Sequence, residues 1–318
     1  MKKATKSKNS TRVTSTKQSP LVSITILNWN GLDDTLRCLE SVVGQNYKHV
    51  QIVVVDNGSS KDEAAEIKRR FPNVKLIRNK DNLGFTGGHN QGMDVALQAG
   101  ADYVLVLNND VVLTDDALSR LVDFYQATPD AGMISPLILY ADHERLWFAG
   151  GLVAMGMIRH KHKGEKVASL NLPKIPFKTD YVPGTAMLVS TKLIHEVGKL
   201  DDRYFAYYED LDWCQRAEQH GYHAYVVPEA VVYHKKSGST SQGGHRRFTK
   251  IPSYYLARNA FLLASNYSMV RKAGYMFVQI GVKLPLSLAL LVELKAWSAY
   301  LHGTIDGVRA LWFVTPKQ

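Results

Sequence analysis

The chain has 318 residues, of which 45% are hydrophobic and 21% charged, and its formal net charge is +10 at pH 7. The length allows one large domain, or a domain with an appendage, and the apolar content is ordinary for a soluble protein. Residues 1–20 contain six basic and no acidic residues, and residues 243–318 contain ten basic and two acidic ones. The body between these ends is therefore acidic. No nucleic-acid-binding signature accompanies the charge, so we expect an anionic membrane surface, and no nucleic acid, as partner.

The N-terminal segment and the cysteines give expectations about the compartment. Residues 1–19 are rich in Lys, Ser and Thr without periodicity, which predicts a disordered basic tail. No apolar run follows these lysines, so the segment does not read as a signal peptide. Cys38 and Cys214 lie far apart in helix-like contexts and predict no disulfide framework. We therefore expect a cytoplasmic protein, peripheral on the inner face of the plasma membrane.

Four strand–helix units are predicted in the first third of the chain. The strands are Val22–Leu27, Gln51–Val55, Val74–Arg78 and the apolar run that opens Val104–Val112, and the helices between them are Asp33–Val43, Asp62–Phe71 and Gln91–Ala99. This alternation predicts an α/β fold: a Rossmann-like, doubly wound, mostly parallel sheet with helices on both faces.

Each of these strands ends in small polar residues. The four endings read N-W-N-G, D-N-G-S, N-L-G-F-T-G-G-H-N and N-N-D in chain order. Right-handed crossovers place the carboxyl ends of the strands at one edge of the sheet, where ligands of such folds bind. Asp110, in the last ending, suits a hydrated Mg²⁺ or Mn²⁺ that holds a diphosphate, because hard cations prefer oxygen ligands. An ordinary turn is the alternative for this ending taken alone.

Asp56 and the glycines of the third ending suit a nucleotide. The Asp56 carboxylate would accept the ring N–H of a uracil or thymine, although an Asx-turn that caps the next helix explains it equally well. Gly84, Gly87 and Gly88 would let the backbone approach a nucleotide or sugar closely. Neither a G-x-G-x-x-G motif nor a G-x-x-x-x-G-K-[ST] loop is present, which disfavours a dehydrogenase and an NTPase.

Three carboxylates open a predicted helix in the second half of the chain. Glu209, Asp210 and Asp212 precede the helix Trp213–His220. Helix N-capping is the simple explanation, but three acids in four residues exceed what a cap needs. A dense cluster of like charges in a cleft raises the pKa of at least one carboxyl, and a general base arises in this way.

The remaining elements of the second half are less regular. Residues 141–180 are interpreted as a variable flap or hairpin region, and His160 and His162 as part of a solvated basic loop rather than a metal site, since no third ligand lies near. The other predicted elements are a helix at Asp115–Thr128 and strands at Met133–Leu139, Ala186–Val189, Ala224–Val227 and Ala230–Tyr233.

In their order, these motifs resemble family-2 glycosyltransferases of the GT-A fold, most closely the rhamnosyltransferase-like branch. The resemblance covers about residues 21–265 and continues past the four endings through Y-V-P-G-T-A-M-L-V-S (181–190), Y-F-A-Y-Y-E-D-L-D-W-C-Q-R (204–216), V-P-E-A-V-V-Y-H-K-K-S-G-S (227–239) and Y-Y-L-A-R-N-A (254–260). It implies an inverting transfer of a sugar from dTDP-L-rhamnose or a UDP-hexose. The acceptor it implies is a hydroxyl of a cell-surface glycan or of an oligosaccharide linked to a polyprenyl carrier.

The resemblance also implies roles for individual residues. Asp210 would deprotonate the acceptor hydroxyl, and Glu209 or Asp212 would orient the acceptor or tune that base. His234 would be the second ligand of the Mg²⁺ or Mn²⁺ ion beside Asp110. The candidate donor-binding residues are Asn28, Asn30, Asp56, Asn82, Gly84, Gly88, Asn108, Asn109, Arg246 and Arg247.

One departure from the family pattern concerns the metal. The motif here is Asn-Asn-Asp rather than Asp-x-Asp, so the protein offers one formal charge where many relatives offer two. Asn108 would then ligate through its carbonyl oxygen, and we expect weak metal binding in the absence of the donor.

The domain boundaries follow from these patterns. We expect a tail at 1–19, a GT-A domain at 20–242 with a nucleotide-binding half (20–115) and an acceptor half (116–242), and a C-terminal loop with amphipathic helices at 243–318. Residues 273–292 are apolar except for Lys283 and a few polar residues, and they are interpreted as one or two helices lying in the membrane interface or packing on a partner subunit; a span is the less favoured alternative. Homo-oligomerisation is left open.

Two other functions compete with a transferase. A sugar-phosphate nucleotidylyltransferase would need a Gly-rich, Arg- or Lys-bearing loop after the first strand, and N-W-N-G does not supply one. A non-catalytic nucleotide-sugar-binding or assembly subunit is disfavoured by the complete E-D-x-D cluster. Release of nucleoside diphosphate from a panel of nucleotide sugars would separate the three.

Overall fold

The computed structural model describes residues 19–154, 157–235, 250–290 and 294–313. The strands are β1 Val22–Asn28, β2 Val50–Asn57, β3 Lys75–Asn79, β4 Tyr103–Asn108, β5 Val111–Leu113, β6 Ala131–Tyr140, β7 Leu146–Phe148, β8 Gly151–Ala154, β9 Met157–His160, β10 Phe177–Thr179, β11 Ala186–Ser190 and β12 His223–His234. The helices are α1 Leu32–Val43, α2 Glu63–Arg70, α3 Gly84–Gln98, α4 Ala117–Ala127, α5 Thr191–Val197, α6 Glu209–Gln219, α7 Lys250–Ala264, α8 Met269–Met276, α9 Leu284–Leu290 and α10 Leu294–Phe313. A 3₁₀ turn covers Val167–Ser169, and a π-helical segment, Phe277–Lys283, joins α8 to α9.

A single large sheet organises the fold, with the strand order β10-β12-β6-β11-β4-β1-β2-β3. The half formed by β4, β1, β2 and β3 is parallel. In the other half, β11 runs antiparallel to both β4 and β6, while β12 runs parallel to β6. The predicted α/β fold with a mostly parallel sheet is confirmed. The apolar run of β4 lies between β11 and β1 near the centre of the sheet, and the residues from Val104 to Leu107 are at most 1% exposed, as in a strand covered on both faces.

The strand register brings the polar endings to one edge, as the sequence predicts. Asn28 pairs with Asp56 across β1 and β2, and Leu27 pairs with Asn108 across β1 and β4. The chain then turns at residues 109–110 and returns as β5, which pairs antiparallel with the far end of β12. The two strands predicted around Pro228 are one strand, β12, whose register against β6 shifts in the segment between Val227 and Val231. That irregularity accommodates a residue that cannot donate a ladder hydrogen bond.

Helix α3 begins seven residues earlier than the sequence predicts. We expected a loop up to Gln91, but the glycine-rich segment from Gly84 forms the first two turns. A Cβ atom on Gly88 would overlap the Leu27 side chain, and one on Gly92 would overlap Thr25. The glycines therefore let α3 lie directly against β1, and this packing offsets their low helix propensity. Likewise α6 begins at Glu209 rather than Trp213, so the acidic residues form its first turn.

The C-terminal helices are joined to the core through α7. Ala260 and Phe261 of α7 are fully buried and belong to the main hydrophobic core. The expected helices of the apolar segment appear as α8, the π-helical segment and α9. Among the helices in the described ranges, none is both long and apolar enough for a membrane span. Residues 1–18 of the predicted basic tail (1–19) and the candidate donor-binding residues Arg246 and Arg247 lie outside the described residues.

Candidate active site

Two carboxylates hold the loops that follow β1 and β2. Asp56, at the end of β2, is 1% exposed and accepts hydrogen bonds from the Asn28 amide (3.1 Å) and from the Ser59 hydroxyl. The Asn28 amide also donates to Glu63 at 2.9 Å, and Glu63 accepts the Gly31 N–H at 3.1 Å. Glu63 is not among the residues predicted from the sequence. Its only signal was an acid in the first turn of a helix at the ligand-binding edge.

Asparagine side chains complete this network. Asn30 has φ 51°. Its side-chain oxygen accepts hydrogen bonds from the backbone N–H and the hydroxyl of Ser60 at 2.8 and 2.9 Å. The Asn109 side-chain amide donates to the Thr35 hydroxyl at 2.9 Å, and this hydroxyl donates to the Asn28 side-chain oxygen at 2.7 Å. The side chains of Asn28 and Asn109 thus form hydrogen bonds with other residues of the protein. A direct donor contact by either stays a prediction.

The third loop is built around Asn82 and Gly84. The Asn82 side-chain oxygen accepts the Gly84 N–H at 2.8 Å and the Asn57 amide at 2.9 Å. Gly84 has φ +75°, and a Cβ there would overlap the backbone oxygen of Phe205. A residue with a side chain would be strained and would also clash. Gly84 therefore joins the nucleotide-binding half to the loop that leads into α6, and Gly88 serves helix packing.

The two predicted metal ligands face each other. Asp110 lies in the turn after β4, His234 ends β12, and the His234 Nε2 and Asp110 Oδ1 atoms are 3.2 Å apart. The pairing of β5 with β12 fixes this geometry, and the Lys235 N–H donates to the Asp110 backbone oxygen at 3.0 Å. His234 Nδ1 is buried and has no hydrogen-bond partner. Within the described residues no group of three or more His, Cys, Asp or Glu residues converges, and the role of Asp110 and His234 as metal ligands stays a prediction.

Asp210 lies in the first turn of α6, beside the segment that precedes β11. Its two oxygens accept the N–H groups of Gly184 (3.2 Å) and Leu211 (2.8 Å). Burial raises the pKa of Asp210, although these hydrogen bonds oppose the rise. Thr185, which follows Gly184, accepts the Asn108 N–H at 2.9 Å. The segment before β11 therefore touches both the Asp210 carboxylate and the end of β4.

The two neighbouring acids differ in their surroundings. Glu209 is 5% exposed, its Oε2 atom has no hydrogen-bond partner, and burial together with the Asp210 charge raises its pKa well above the usual range. Asp212 is 1% exposed and forms an ion pair with Arg216 at 2.8 Å. Burial also raises the pKa of Asp212, although Arg216 opposes the rise. Arg216 in turn donates to the backbone oxygens of Val197 and Lys199, so Asp212 orients a side chain that holds α6 in place. Glu209 is the acid available to couple to Asp210.

The turn before α6 has an unusual backbone and a buried support. Tyr207 and Tyr208 have φ of 72° and 73°, in the left-handed region that residues with side chains rarely adopt. The Asn259 amide, from α7, donates to the carbonyl oxygens of Ala206 and Tyr207, both at 2.8 Å, and Asn259 is fully buried. The sequence analysis missed Asn259, although it lies in the Y-Y-L-A-R-N-A motif that carried part of the resemblance.

The aromatic ring of Trp147 connects His234, a predicted metal ligand, to the predicted flap region. The Trp147 ring lies between the rings of His234 and His160, at centroid distances of 4.7 and 5.2 Å. The Tyr181 hydroxyl contacts His160 Nε2, and burial lowers the pKa of His160 to about 4. The interpretation of His160 as part of a solvated loop was wrong, because β9 carries it under Trp147. His162 does lie at the surface, where it contacts Glu165 at 3.2 Å.

Comparison with known proteins identifies the family. The model for glycosyl transferase family 2 matches residues 23–198, more than half of the chain. The chain belongs to this family. The predicted enzyme class, a glycosyltransferase that uses a nucleotide sugar, is thereby confirmed, and the nucleotidylyltransferase and binding-subunit alternatives are set aside.

Two curated relatives of this glycosyltransferase are rhamnosyltransferases. The N-acetylglucosaminyl-diphospho-decaprenol L-rhamnosyltransferase of Mycobacterium tuberculosis is 29% identical over 70% of this chain and 78% of its own. The dTDP-rhamnosyl transferase RfbF of Shigella flexneri is 25% identical over 82% of this chain and 86% of its own. The predicted rhamnosyltransferase-like branch is confirmed by this similarity.

Solved structures share the fold at low sequence identity. The S. aureus TarS 1–349 structure in complex with UDP-GlcNAc has a TM-score of 0.61 and 15% identity, covering 91% of this chain and 81% of that one. GalNAc-T7 with UDP, GalNAc and Mn²⁺ has a TM-score of 0.64 and 16% identity; the match covers 89% of this chain and only 55% of that one. These likenesses support the GT-A fold.

The glycosyltransferase thus brings most of its predicted site residues into one continuous network. Asp56 connects through Asn28 and Thr35 to Asn109, the neighbour of Asp110, and the end of β4 connects through Thr185 to the segment that binds Asp210. Lys235, which follows His234, forms an ion pair with Asp34 at 2.8 Å at the margin of the site. Arg246 and Arg247 lie outside the described residues, and their role stays a prediction.

Proposed function

We propose that this glycosyltransferase transfers L-rhamnose from dTDP-L-rhamnose, with a UDP-hexose as the alternative donor, to a hydroxyl of a lipid-linked or cell-surface glycan. The names of the two rhamnosyltransferase relatives support the donor, and the decaprenol-linked substrate in one of those names supports the acceptor. The observation that carries the proposal is the placement of Asp110 and Asp210 beside the two strands β4 and β11. We assign the Asp110 carboxylate to the leaving diphosphate and the Asp210 carboxylate to the acceptor hydroxyl.

Asp210 is proposed to act as the general base of a single displacement. The acceptor hydroxyl gives its proton to Asp210 while its oxygen attacks the anomeric carbon. A carbon–oxygen bond forms on one face of the sugar as the bond to the diphosphate breaks on the other, and the nucleoside diphosphate leaves with the bonding electrons. Burial raises the pKa of Asp210 and so makes it a better proton acceptor than an exposed aspartate. The Gly184 and Leu211 N–H groups fix its orientation.

Asp110 and His234 are proposed to hold the divalent ion, Mg²⁺ or Mn²⁺. Their facing atoms are 3.2 Å apart, and the carboxylate oxygen suits either ion. Two protein ligands leave the rest of the coordination to water and the donor phosphates. When bound, the ion would supply positive charge to the leaving diphosphate. We therefore expect weak Mn²⁺ binding to the free protein, strengthened by dTDP and lost in Asp110→Ala. Calorimetry that finds tight Mn²⁺ binding without nucleotide would contradict this.

Helices α8 and α9, with the π-helical segment between them, are proposed to contact an anionic membrane surface. Their polarity is inverted: the side chains of Val270 and Phe277 are 83% and 70% exposed, whereas Gln279 is 2% exposed with both amide atoms unpartnered. Apolar surroundings would stabilise the exposed side chains of Val270 and Phe277. Arg271 and Lys272 add positive charge beside them. Phe277→Ser should reduce sedimentation with phosphatidylglycerol vesicles. Equal sedimentation of both proteins would reject this membrane contact.

The proposed chemistry is tested by Asp210→Asn. Protein, Mn²⁺ and a panel of nucleotide sugars are incubated, and released nucleoside diphosphate identifies the donor. With donor and acceptor supplied, the variant should lose about 10²- to 10⁴-fold in kcat, the usual contribution of a general base, while its Kd for the donor stays unchanged. Asp123→Asn, an exposed carboxylate on α4, is the matched control. Retained turnover in Asp210→Asn would rule out the assignment of the base.

A further inference from the structure

The imidazole of His234 lacks the hydrogen bond that usually orients a metal ligand. Its Nε2 atom lies 3.2 Å from Asp110 Oδ1, and the residue is 5% exposed. Its Nδ1 atom is buried and has no hydrogen-bond partner among the described residues. A histidine that binds a metal through one ring nitrogen is usually held by a hydrogen bond at the other. The orientation of the His234 ring therefore depends on its packing contacts.

Trp147 provides such a contact. The Trp147 and His234 ring centroids are 4.7 Å apart and the ring planes meet at 82°, the edge-to-face arrangement that aromatic rings favour. Trp147 is 8% exposed, and its Nε1 atom is buried without a hydrogen-bond partner in the described parts of the chain. A buried indole usually bonds its N–H. A hydrogen bond of Nε1 therefore does not explain where this side chain lies, whereas its contacts with neighbouring rings do.

An irregularity in β7 directs the Trp147 side chain. The consecutive residues Ile138 and Leu139 of β6 pair with Phe148 and Leu146, so the ladder skips Trp147. An extra residue of this kind bends its strand and redirects a side chain, and such bulges are common beside active sites. The strand β6 pairs with both β7 and β12 along the same stretch, so it lies between them. The Trp147 ring therefore reaches across β6 to the end of β12.

The indole ring is held in place by residues of β9 and of the loop that follows it. The His160 ring lies 5.2 Å from the Trp147 ring at 73°, and His160 Nδ1 lies 3.3 Å from the Trp147 carbonyl oxygen. The Tyr181 hydroxyl contacts His160 Nε2. Lys163 Nζ is 4.4 Å from the centroid of the Trp147 ring, where the negative face of the ring attracts a cation. These contacts hold the indole independently of the proposed metal ligands.

We propose that Trp147 is a positioning residue that fixes the plane of the His234 imidazole and so aims Nε2 toward the metal position beside Asp110; the inference rests on the proposed function. A ring nitrogen binds a metal through a lone pair that lies in the plane of the ring. A rotated ring would therefore direct that lone pair away from Asp110. Removing an outer contact that orients a metal ligand typically weakens metal affinity about 10- to 100-fold.

The test measures Mn²⁺ affinity by calorimetry on the full chain at saturating dTDP. Trp147→Leu, which removes the aromatic ring, should weaken Mn²⁺ binding about 10- to 100-fold, and Trp147→Phe, which retains a ring, should recover most of that loss. The matched control is Phe148→Leu, because Phe148 is also buried and its ring packs on those of His160 and Tyr181. It should leave the Mn²⁺ affinity unchanged. Wild-type affinity in Trp147→Leu, or an equal loss in Phe148→Leu, overturns the proposal.

A second measurement needs neither metal nor the more disruptive leucine variant. The His234 ring signal is observed by NMR in protein labelled at its histidine rings and is assigned by its loss in His234→Asn. The ring current of the indole shifts this signal, so Trp147→Phe should move it and Phe148→Leu should not. A His234 signal that stays in place in Trp147→Phe overturns the proposal.

Asp110→Ala separates the failure of this inference from that of the proposed metal site. If dTDP-dependent Mn²⁺ binding is lost in Asp110→Ala but kept in Trp147→Leu, the role of Trp147 alone is rejected. If that binding is kept in Asp110→Ala, the proposed metal site is rejected, and the role of Trp147 is rejected with it.

Discussion

Replacing Asn259 by alanine tests whether α7 positions Asp210, the proposed general base. The Asn259 amide is fully buried and donates two hydrogen bonds of 2.8 Å, to Ala206 and Tyr207. Each such bond contributes about 0.5–1.5 kcal/mol, and a buried carbonyl left without a partner costs about 1–3 kcal/mol. We therefore expect the free energy of unfolding to fall by about 2–4 kcal/mol.

The effect on catalysis follows from the backbone of the supported turn. Tyr207 and Tyr208 have positive φ, a conformation that costs about 1–3 kcal/mol per residue and persists only where the surroundings enforce it. Without the Asn259 bonds the turn relaxes, and Asp210, at the start of α6, moves with it. A loss of only about 1.4 kcal/mol of transition-state stabilisation lowers kcat tenfold. We expect at least that loss, with a smaller effect on the KM for the donor, since most of the predicted donor-binding residues lie on other loops.

The assay pairs steady-state kinetics with thermal unfolding. Asn259→Ala should lower Tm by roughly 5–10 °C and kcat at least tenfold at a temperature where the variant is folded. Tyr254→Phe, on the same helix, removes the 2.9 Å bond to Asp306 without touching the turn. It should lower Tm slightly and leave kcat unchanged. A variant Asn259→Ala that loses stability but keeps wild-type kcat would refute the reasoning, because the turn would then not position the base.

Two further predictions concern charge burial and helix packing. Burial and the Asp210 charge raise the pKa of Glu209, so the stability contributed by its protonated form is fully present below the ordinary carboxyl pKa and is lost as the pH rises through the raised value. The Tm advantage of Glu209→Gln over wild type should therefore grow with pH, and an advantage that shrinks would contradict the burial of an ionising carboxyl. Gly303→Ala should cost about 1–3 kcal/mol of unfolding free energy in urea, because its methyl group would overlap the Tyr254 oxygen. Gly281→Ala, whose Cβ would meet only ordinary contacts, is the control, and equal stability of the two variants would contradict the close approach of α10.

The parts of the fold that depend on local patterns were predictable from the sequence. The apolar run of β4 followed by Asn108, Asn109 and Asp110 indicates a buried strand that delivers polar groups to the sheet edge, and the register confirms that position. Both the burial of a strand and the polar residues at its end can be recognised from consecutive residues in the sequence. The rule that crossovers are right-handed then brings distant endings together without any knowledge of side-chain contacts.

The parts that depend on long-range packing were not predictable. The glycines from Gly84 onward read as a loop because nothing local shows that β1 needs a helix surface without side chains. His160 read as solvated because its neighbours in sequence are basic, whereas Trp147 covers it in space. Asn259 acts on a turn 52 residues before it, beyond the reach of any periodicity. In each case the deciding partner is distant in sequence.

The contact between α7 and α10 has a consequence for shortened forms of this enzyme. Tyr254 and Phe261 of α7 lie against glycines of α10, and the same α7 supplies Asn259 to the catalytic turn. A chain cut before Leu294 would leave one side of α7 open to water, along the stretch that presents this amide. Removing α10 to gain solubility should therefore also lower the turnover rate.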